Sequence, residues 1–199
     1  MLYLIGLGLD LKDLSLKALE ALKKCKYTST LPYSLTELKK LIGKKIILAD
    51  RKLIEESDEV LNAAKKQAAA LLVPGDPLVA TTHVELFLRA RKNKIKVEVI
   101  HAPSVLTAIA ESGLQPYKFG KIASIPKWQS SFRPESFYEI IKENESINAH
   151  TLLLIDIGLP VNEALRYLQD IAKARDAAML EKKIIICEKL VTEKQKFKK

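Results

Sequence analysis

Three short loops, each following an apolar strand, hold the residues whose types and spacing could bind a ligand. The most informative runs from Val73-Pro74-Gly75-Asp76-Pro77 into Leu78-Val79-Ala80-Thr81-Thr82. Pro74 ends the pairing of the preceding strand, and Gly75 permits a backbone conformation that other residues resist. Asp76 therefore stands at the carboxyl end of a strand, where open α/β sheets bind ligands. Its carboxylate suits a ligand with hydroxyls or an amine, or it simply caps the next helix.

The other two loops carry weaker signals. In Ile5-Gly6-Leu7-Gly8-Leu9 the glycines permit close approach of a ligand to the backbone, or only a tight turn. The dinucleotide fingerprint is excluded, because its third glycine and the acidic residue about twenty positions later are missing. In His101-Ala102-Pro103-Ser104-Val105, Ser104 could cap a helix or face a ligand. His101 is interpreted as a structural residue, and no catalytic residue is assigned, since no triad or carboxylate pair can be assembled.

Composition sets the outer limits of the function. The chain has 199 residues, 48% of them hydrophobic, which predicts a globular protein of one or two domains. Cys25 and Cys187 have neither CxxC spacing nor clustered histidines, so we expect no metal site and no disulfide. Neither a signal peptide nor a membrane span is predicted, and we expect a cytoplasmic protein. The net charge of +9 could favour an acidic partner, but acidic residues are interleaved with the lysines, so no direct nucleic-acid partner is expected.

Strands alternate with amphipathic helices along the chain, which predicts an α/β fold with a mostly parallel sheet. We expect an N-terminal α/β domain at 1–100 and a C-terminal α/β domain at 101–199, with the run 194–199 frayed. The predicted strands are residues 2–7, 45–48, 69–73, 96–100, 122–125, 150–157 and 183–187. The predicted helices are residues 14–24, 35–42, 54–67, 84–91, 105–112, 137–144 and 161–178.

The order of the three loops, each behind its strand, resembles the tetrapyrrole methylase family of S-adenosylmethionine-dependent methyltransferases. Within that family the likeness is to the archaeal diphthine synthases. It rests on the sequences LYLIGLGL, PGDPLVATTH and HAPS, on the segments 113–121 and 150–157, and on Asn162-Glu163-Ala164, and it covers residues 1–168. The family pattern fails at Cys187-Glu188-Lys189-Leu190-Val191, which lacks the expected glycine, and the family's proteins continue beyond this point.

The resemblance implies two α/β domains with S-adenosyl-L-methionine bound in the cleft between them. It also implies transfer of a methyl group to the amino group of a modified histidine on translation elongation factor 2, in diphthamide biosynthesis, by a homodimer. Two alternatives stay open: methylation of a tetrapyrrole, and a non-catalytic module that binds the elongation factor. Asp156 is a weak candidate for accepting the proton, since capping a turn explains it better. The residues implied to bind the cofactor are Leu9, Asp76, Val79, Ser104, Val105 and Ile155.

Overall fold

The computed structural model describes residues 1–30, 35–43, 45–49 and 51–198. Lys199, the end of the run predicted to fray, lies outside them. The chain divides into two compact units. The first contains residues 1–109 and 187–196, and the second contains residues 110–186 and 197–199. The assignment of functional domains to 1–100 and 101–199 stays a prediction.

The first unit is built on a five-stranded parallel sheet with the strand order β3-β2-β4-β1-β5. Every residue of β1 and β4 is buried, as expected for strands covered by helices on both faces. In this register Gly6 lies opposite Val73, and Ile5 lies opposite Ile100. The strands are β1 (Leu2–Gly6), β2 (Tyr27–Thr30), β3 (Ile47–Leu48), β4 (Ala69–Val73) and β5 (Val97–Ile100).

Helices cover both faces of this sheet, because successive side chains of a strand point to opposite sides. Leu2 and Leu4 enter one core cluster, whereas Tyr3 and Ile5 enter the other. The predicted α/β fold with a parallel sheet is thus confirmed for this unit. The helices are α1 (Leu16–Lys24), α2 (Leu35–Ile42), α3 (Arg51–Glu55), α4 (Glu59–Lys66), α5 (His83–Lys92) and α6 (Val105–Ala108), which continues as a 3-10 turn to Ser112.

The structure differs from the sequence-based predictions in three places. Strand β2 was missed because its sequence, YTST, is polar. The helix predicted over 54–67 is broken, since the Ser57 hydroxyl donates to Leu53 O at 2.6 Å and accepts from Glu59 N at 3.3 Å. These bonds end α3 and start α4. The tail predicted to fray forms β9 (Lys196–Lys198), which pairs with β8 (Ile186–Glu188).

The second unit has a smaller parallel pair, β6 (Ala123–Ile125) and β7 (Leu153–Ile155). Helices α7 (Ser136–Ser146) and α8 (Val161–Arg175) pack against it around the buried Phe137. Strand β7 is shorter than the predicted 150–157. Among the residues that the structure describes, no helix is long and apolar enough to cross a membrane.

Candidate functional site

The three predicted loops leave neighbouring strands at the carboxyl edge of the first sheet. Because β1 lies between β4 and β5, its loop has the other two on either side. Gly8 N donates to Gly75 O at 3.2 Å, and Gly75 N donates to Gly8 O at 2.7 Å. This reciprocal pair fastens the first loop to the second beyond the end of the sheet. Both glycines have positive φ, of 74° and 70°, which side chains disfavour.

Gly6, the last residue of β1, lies close to both the second and the third loop. A Cβ atom at Gly6 would lie 2.7 Å from the Ala102 Cβ and 2.7 Å from Gly75 O. Real Cβ atoms do not tolerate such distances, so only glycine fits here. Gly6 therefore serves the packing of loop against loop, a role that the sequence analysis did not predict.

Asp76 is buried and bonded to two loops. Its Oδ1 accepts from Leu78 N at 3.0 Å, which closes its own turn. Its Oδ2 accepts from Ala102 N at 3.3 Å and lies 2.7 Å from His101 Nδ1. The His101 ring is 68% exposed, whereas the Asp76 side chain is 8% exposed. The predicted ligand-binding carboxylate thus also orders the loop edge, and its Oδ1 atom keeps a lone pair for a further donor.

The first loop is closed by a residue that the sequence analysis missed. Asp13 Oδ2 accepts from Leu9 N at 2.9 Å and from Asp10 N at 3.0 Å. Asp10 and Asp13 form a reciprocal capping box around the 3-10 turn 11–13, and the Asp10 side chain also accepts from Lys12 N at 2.9 Å. The acidic residues three positions apart were the available signal. Leu9 is consequently held at the edge by its backbone, and its side chain is half-buried.

The remaining residues of the second and third loops have identifiable structural partners. Ser104 is buried, and its hydroxyl accepts from Leu106 N at 3.2 Å as the N-cap of α6. Ser104 N donates to the Thr107 hydroxyl at 3.3 Å. Val79 N donates to Asp76 O at 3.3 Å within the turn. Ser104 is therefore confirmed as a helix cap, and Val105 is the first residue of α6.

A groove of about 910 Å³ brings two of the predicted cofactor residues together with the segment 187–194. The volume lies within the range of small-molecule sites. Lys12 and Glu193 form an exposed ion pair of 3.2 Å at its rim. Burial raises the pKa of the Cys187 thiol. The lining residues are Leu9, Asp10, Leu11, Lys12, Val105, Cys187, Lys189, Leu190, Thr192, Glu193 and Lys194.

The sixth predicted cofactor residue belongs to the second unit. Ile155 ends β7 opposite Ile125 and packs against the core of that unit. The next residue, Asp156, is exposed, and its carboxylate accepts from Ile157 N at 2.9 Å and from Lys127 N at 3.4 Å. This agrees with the capping interpretation of Asp156. Within the described ranges, no group of three or more His, Cys, Asp or Glu side chains could hold a metal ion.

The parallel sheet and the groove beside the loops at its carboxyl edge place the chain among the open-sheet α/β proteins, a class in which ligands commonly lie at that edge. Comparison with known proteins gives the particular family. The model of the tetrapyrrole (corrin/porphyrin) methylases matches residues 1–199, and the chain belongs to this family. The resemblance predicted from the loop sequences is thereby confirmed.

The relatives and neighbours point to one branch of the family. The chain is 50% identical over 165 residues to the diphthine methyl ester synthase of Schizosaccharomyces pombe. This match covers 79% of this chain and 58% of that protein. It is 46% identical over 165 residues to the enzyme of the same name from Mus musculus, covering 79% of this chain and 59% of that protein. A crystal structure of a diphthine synthase superposes with a TM-score of 0.88 at 33% identity, covering 100% of this chain and 81% of that one.

Two consequences follow from these comparisons. The chain spans less than three fifths of the length of these two curated relatives. The relatives come from eukaryotes, whereas the sequence analysis had pointed to the archaeal enzymes. The prediction of a tetrapyrrole methylase fold is confirmed. The six cofactor contacts, and the position of the cofactor between two domains, stay predictions.

Proposed function

We propose that this chain is an S-adenosyl-L-methionine-dependent methyltransferase of diphthamide biosynthesis, with translation elongation factor 2 as its protein substrate. The observation that carries the proposal is the convergence of the three family loops at one sheet edge, in a chain whose relatives are named diphthine methyl ester synthases. Those names favour this function over methylation of a tetrapyrrole. A non-catalytic module is the remaining alternative.

The residues of the first unit fit such a cofactor chemically. Leu9 and Val105 lie on the groove, where apolar and backbone groups suit the uncharged parts of a nucleoside. Asp76 keeps acceptor capacity for a ribose hydroxyl or an ammonium group. Val79 and Ser104 lie in the same loops, and their backbone groups are the parts available to a ligand, since the Ser104 hydroxyl caps α6. We propose Ile155 as the contribution of the second unit.

The proposed chemistry asks little of catalytic side chains. The cofactor's sulfonium supplies an already activated methyl group, so the protein's task is to hold the acceptor atom in line with it. Rigid loops serve this task, and the hydrogen bonds of Asp76 and Asp13 restrict the motion of those loops. During transfer the positive charge of the sulfonium spreads towards the acceptor atom. Exclusion of water from the site strengthens the electrostatic interactions between that charge and the protein. No proton acceptor is assigned, because the carboxylate of the one candidate, Asp156, is exposed and used as a cap.

The acceptor atom has two possible identities. The resemblance predicts transfer to the amino group of the modified histidine. The relatives are named methyl ester synthases, which favours a carboxylate of the same modified side chain as a further acceptor. The two products differ chemically: mild alkali releases methanol from an ester and leaves a methylated amine intact.

We also propose that the protein is cytoplasmic and forms a homodimer.

The first test is calorimetric titration of S-adenosylhomocysteine into the 199-residue chain. We expect saturable binding, weakened at least about tenfold by Asp76→Asn, because a hydrogen bond to a charged group contributes about 1.5–3 kcal/mol. Asn is chosen because it keeps the shape of the side chain. The matched control is Asp156→Asn, a substitution at an exposed strand end, which we expect to affect cofactor binding less than Asp76→Asn does.

The second test is transfer of radiolabelled methyl groups from the cofactor to elongation factor 2 that carries the unmethylated intermediate. Label that alkali releases as methanol identifies an ester, and label that persists identifies an amine. If the folded chain binds cofactor and transfers no label, the catalytic proposal fails for this chain. If it binds no cofactor but captures the elongation factor, the non-catalytic alternative replaces the proposal.

A further inference from the structure

A second groove lies at the opposite edge of the first sheet, away from the three loops. It has a volume of about 450 Å³ and lies where α5 ends and β5 begins. Leu2 N donates to Lys96 O at 2.8 Å, which places the groove at the amino ends of β1 and β5. Its lining residues are Phe87, Arg91, Lys94, Ile95, Lys96 and Val97.

The groove combines an apolar floor with a cationic rim. Ile95 is buried in the core, and the partly buried Phe87 and Val97 pack against the same cluster. All three charged lining residues are cations, and all three are exposed. The Arg91 guanidinium lies over the Phe87 ring, 5.6 Å from its centroid. An occupant of this groove would therefore meet apolar surface below and positive charge on its sides.

The topology extends this positive charge along the whole amino edge. Each helix that precedes a parallel strand ends at this edge, and cations in the last turn of a helix are favoured by its dipole. Lysines in the connections to the following strands add to them. Cations that the sequence spreads along the chain are thus gathered on one side of the unit. The exposed ones are Lys23, Lys24, Lys26, Lys39, Lys40, Lys45, Lys65, Lys66, Arg91, Lys92, Lys94 and Lys96.

We propose that the groove docks an acidic polypeptide segment that carries an apolar side chain. The apolar side chain would lie on Ile95 and Val97, and flanking carboxylates would pair with Arg91, Lys94 and Lys96. Opposite charges at such a surface accelerate encounter and fix orientation. A single-stranded nucleic acid fits less well, since its bases require aromatic faces to stack on. The Phe87 ring, the aromatic group of the lining, already lies under Arg91.

The test uses fluorescence anisotropy with a labelled peptide of glutamates flanking one central phenylalanine. The variant is Arg91→Gln, Lys94→Gln, Lys96→Gln in the full chain. The matched control removes the same charge from exposed lysines of the second unit: Lys118→Gln, Lys127→Gln, Lys173→Gln. We expect the groove variant to bind the peptide about tenfold more weakly and the control to bind it about twofold more weakly at most. Circular dichroism checks that each variant is folded.

Two further arms decide between kinds of partner. Replacing the central phenylalanine of the peptide by serine should weaken binding to the wild-type chain several-fold and leave the already weak groove variant unchanged. A single-stranded polyuridine of equal charge should bind more weakly than the peptide at the same salt concentration. The proposal is overturned if both variants lose affinity equally, if the serine peptide binds equally well, or if polyuridine binds more tightly. It does not depend on cofactor binding, so its failure and that of the proposed function are separable.

Discussion

Asp76 and Ala102 lie on different loops, and the Asp76 Oδ2 atom accepts a hydrogen bond from the Ala102 backbone N–H at 3.3 Å. The other carboxylate oxygen closes the turn of Asp76 itself through Leu78 N. A single buried side chain thus joins the loops after β4 and β5, on either side of the loop after β1. The order of the proposed cofactor edge depends on this one carboxylate as well as on the sheet below it.

Asp76→Ala should therefore reduce stability as well as cofactor affinity. The variant leaves the backbone N–H groups of Leu78 and Ala102 without their acceptor, and we expect the free energy of unfolding to fall by about 2 kcal/mol. Urea denaturation followed by circular dichroism measures this. The control, Asp156→Ala, removes an exposed carboxylate and should change stability by less than about 1 kcal/mol. Equal losses in the two variants would show that Asp76 does not join the loops.

Gly6→Ala tests the contact between the backbones. The new methyl group would meet both Ala102 Cβ and Gly75 O, and overpacking of this kind costs about 1–3 kcal/mol. We expect a lower denaturation midpoint and weaker binding of S-adenosylhomocysteine. Adding Ala102→Gly removes one of the two clashes, so the double variant should recover part of the loss. Full tolerance of Gly6→Ala would mean that the loops do not approach as closely as described.

The elements that could be predicted from sequence are those whose own residue types indicate whether they are buried. Strand β4 was predicted with its bounds, 69–73, because a strand covered on both faces is continuously apolar. The loop sequences after β1, β4 and β5 were likewise found, since glycine and proline mark turns. In a parallel sheet the carboxyl ends of all strands lie on one edge, so the prediction of a parallel sheet already placed the three loops on the same edge.

The missed features depend on partners distant in sequence. Strand β2 is polar, and its Ser29 hydroxyl is satisfied by Ala70 O at 3.4 Å, a contact that local pattern does not contain. Asn144 looked like an ordinary residue at the end of a predicted helix, yet it is 1% exposed and bonded to a segment more than twenty residues away. Burial of a polar group becomes predictable only once its partner is known.

Asn144 organises the second unit, and its replacement should destabilise that unit. Its Nδ2 donates to Lys121 O at 2.8 Å and to the Thr151 hydroxyl at 2.9 Å, while its Oδ1 accepts from Lys121 N at 2.8 Å. We expect Asn144→Ala to lower the free energy of unfolding by about 3 kcal/mol, because partners of three buried bonds lose their contact. Thermal unfolding of Asn162→Ala, an exposed position in α8, provides the comparison and should be nearly unchanged.

Tyr27 should lose its phenolic proton at a higher pH than an ordinary tyrosine does. Burial, and then the hydrogen bond of 2.9 Å that its hydroxyl donates to Glu59, raise its pKa from 10.0 to about 12. Because the folded value is the higher one, the stabilisation is present below the unfolded pKa and is lost as pH rises from about 10 through about 12. Tyrosinate absorbance in the near ultraviolet should lose its latest phase in Tyr27→Phe.

Two variants separate this interpretation from a general effect of alkali. Glu59→Gln removes the negative charge beside the phenol, so the midpoint of Tyr27 should move below about 12. Tyr117→Phe, at a side chain that is 86% exposed, should leave the late phase in place. A late phase that survives Tyr27→Phe would assign it to another tyrosine.

Val191 has an unusual backbone conformation for a β-branched residue. Its φ is 70°, in the left-handed region where a β-branched residue is strained by about 1–3 kcal/mol. Val191→Gly should relieve this strain and, after the entropy that glycine adds to the unfolded chain, raise the free energy of unfolding by about 0.5–1 kcal/mol. Val191→Ala keeps a Cβ atom and should gain less. Hydrogen exchange of the segment 187–196 measures the local effect, which should be slower exchange in the glycine variant than in the alanine variant. Faster exchange with glycine would show instead that the valine side chain, and not the backbone, determines the stability of this wall of the groove.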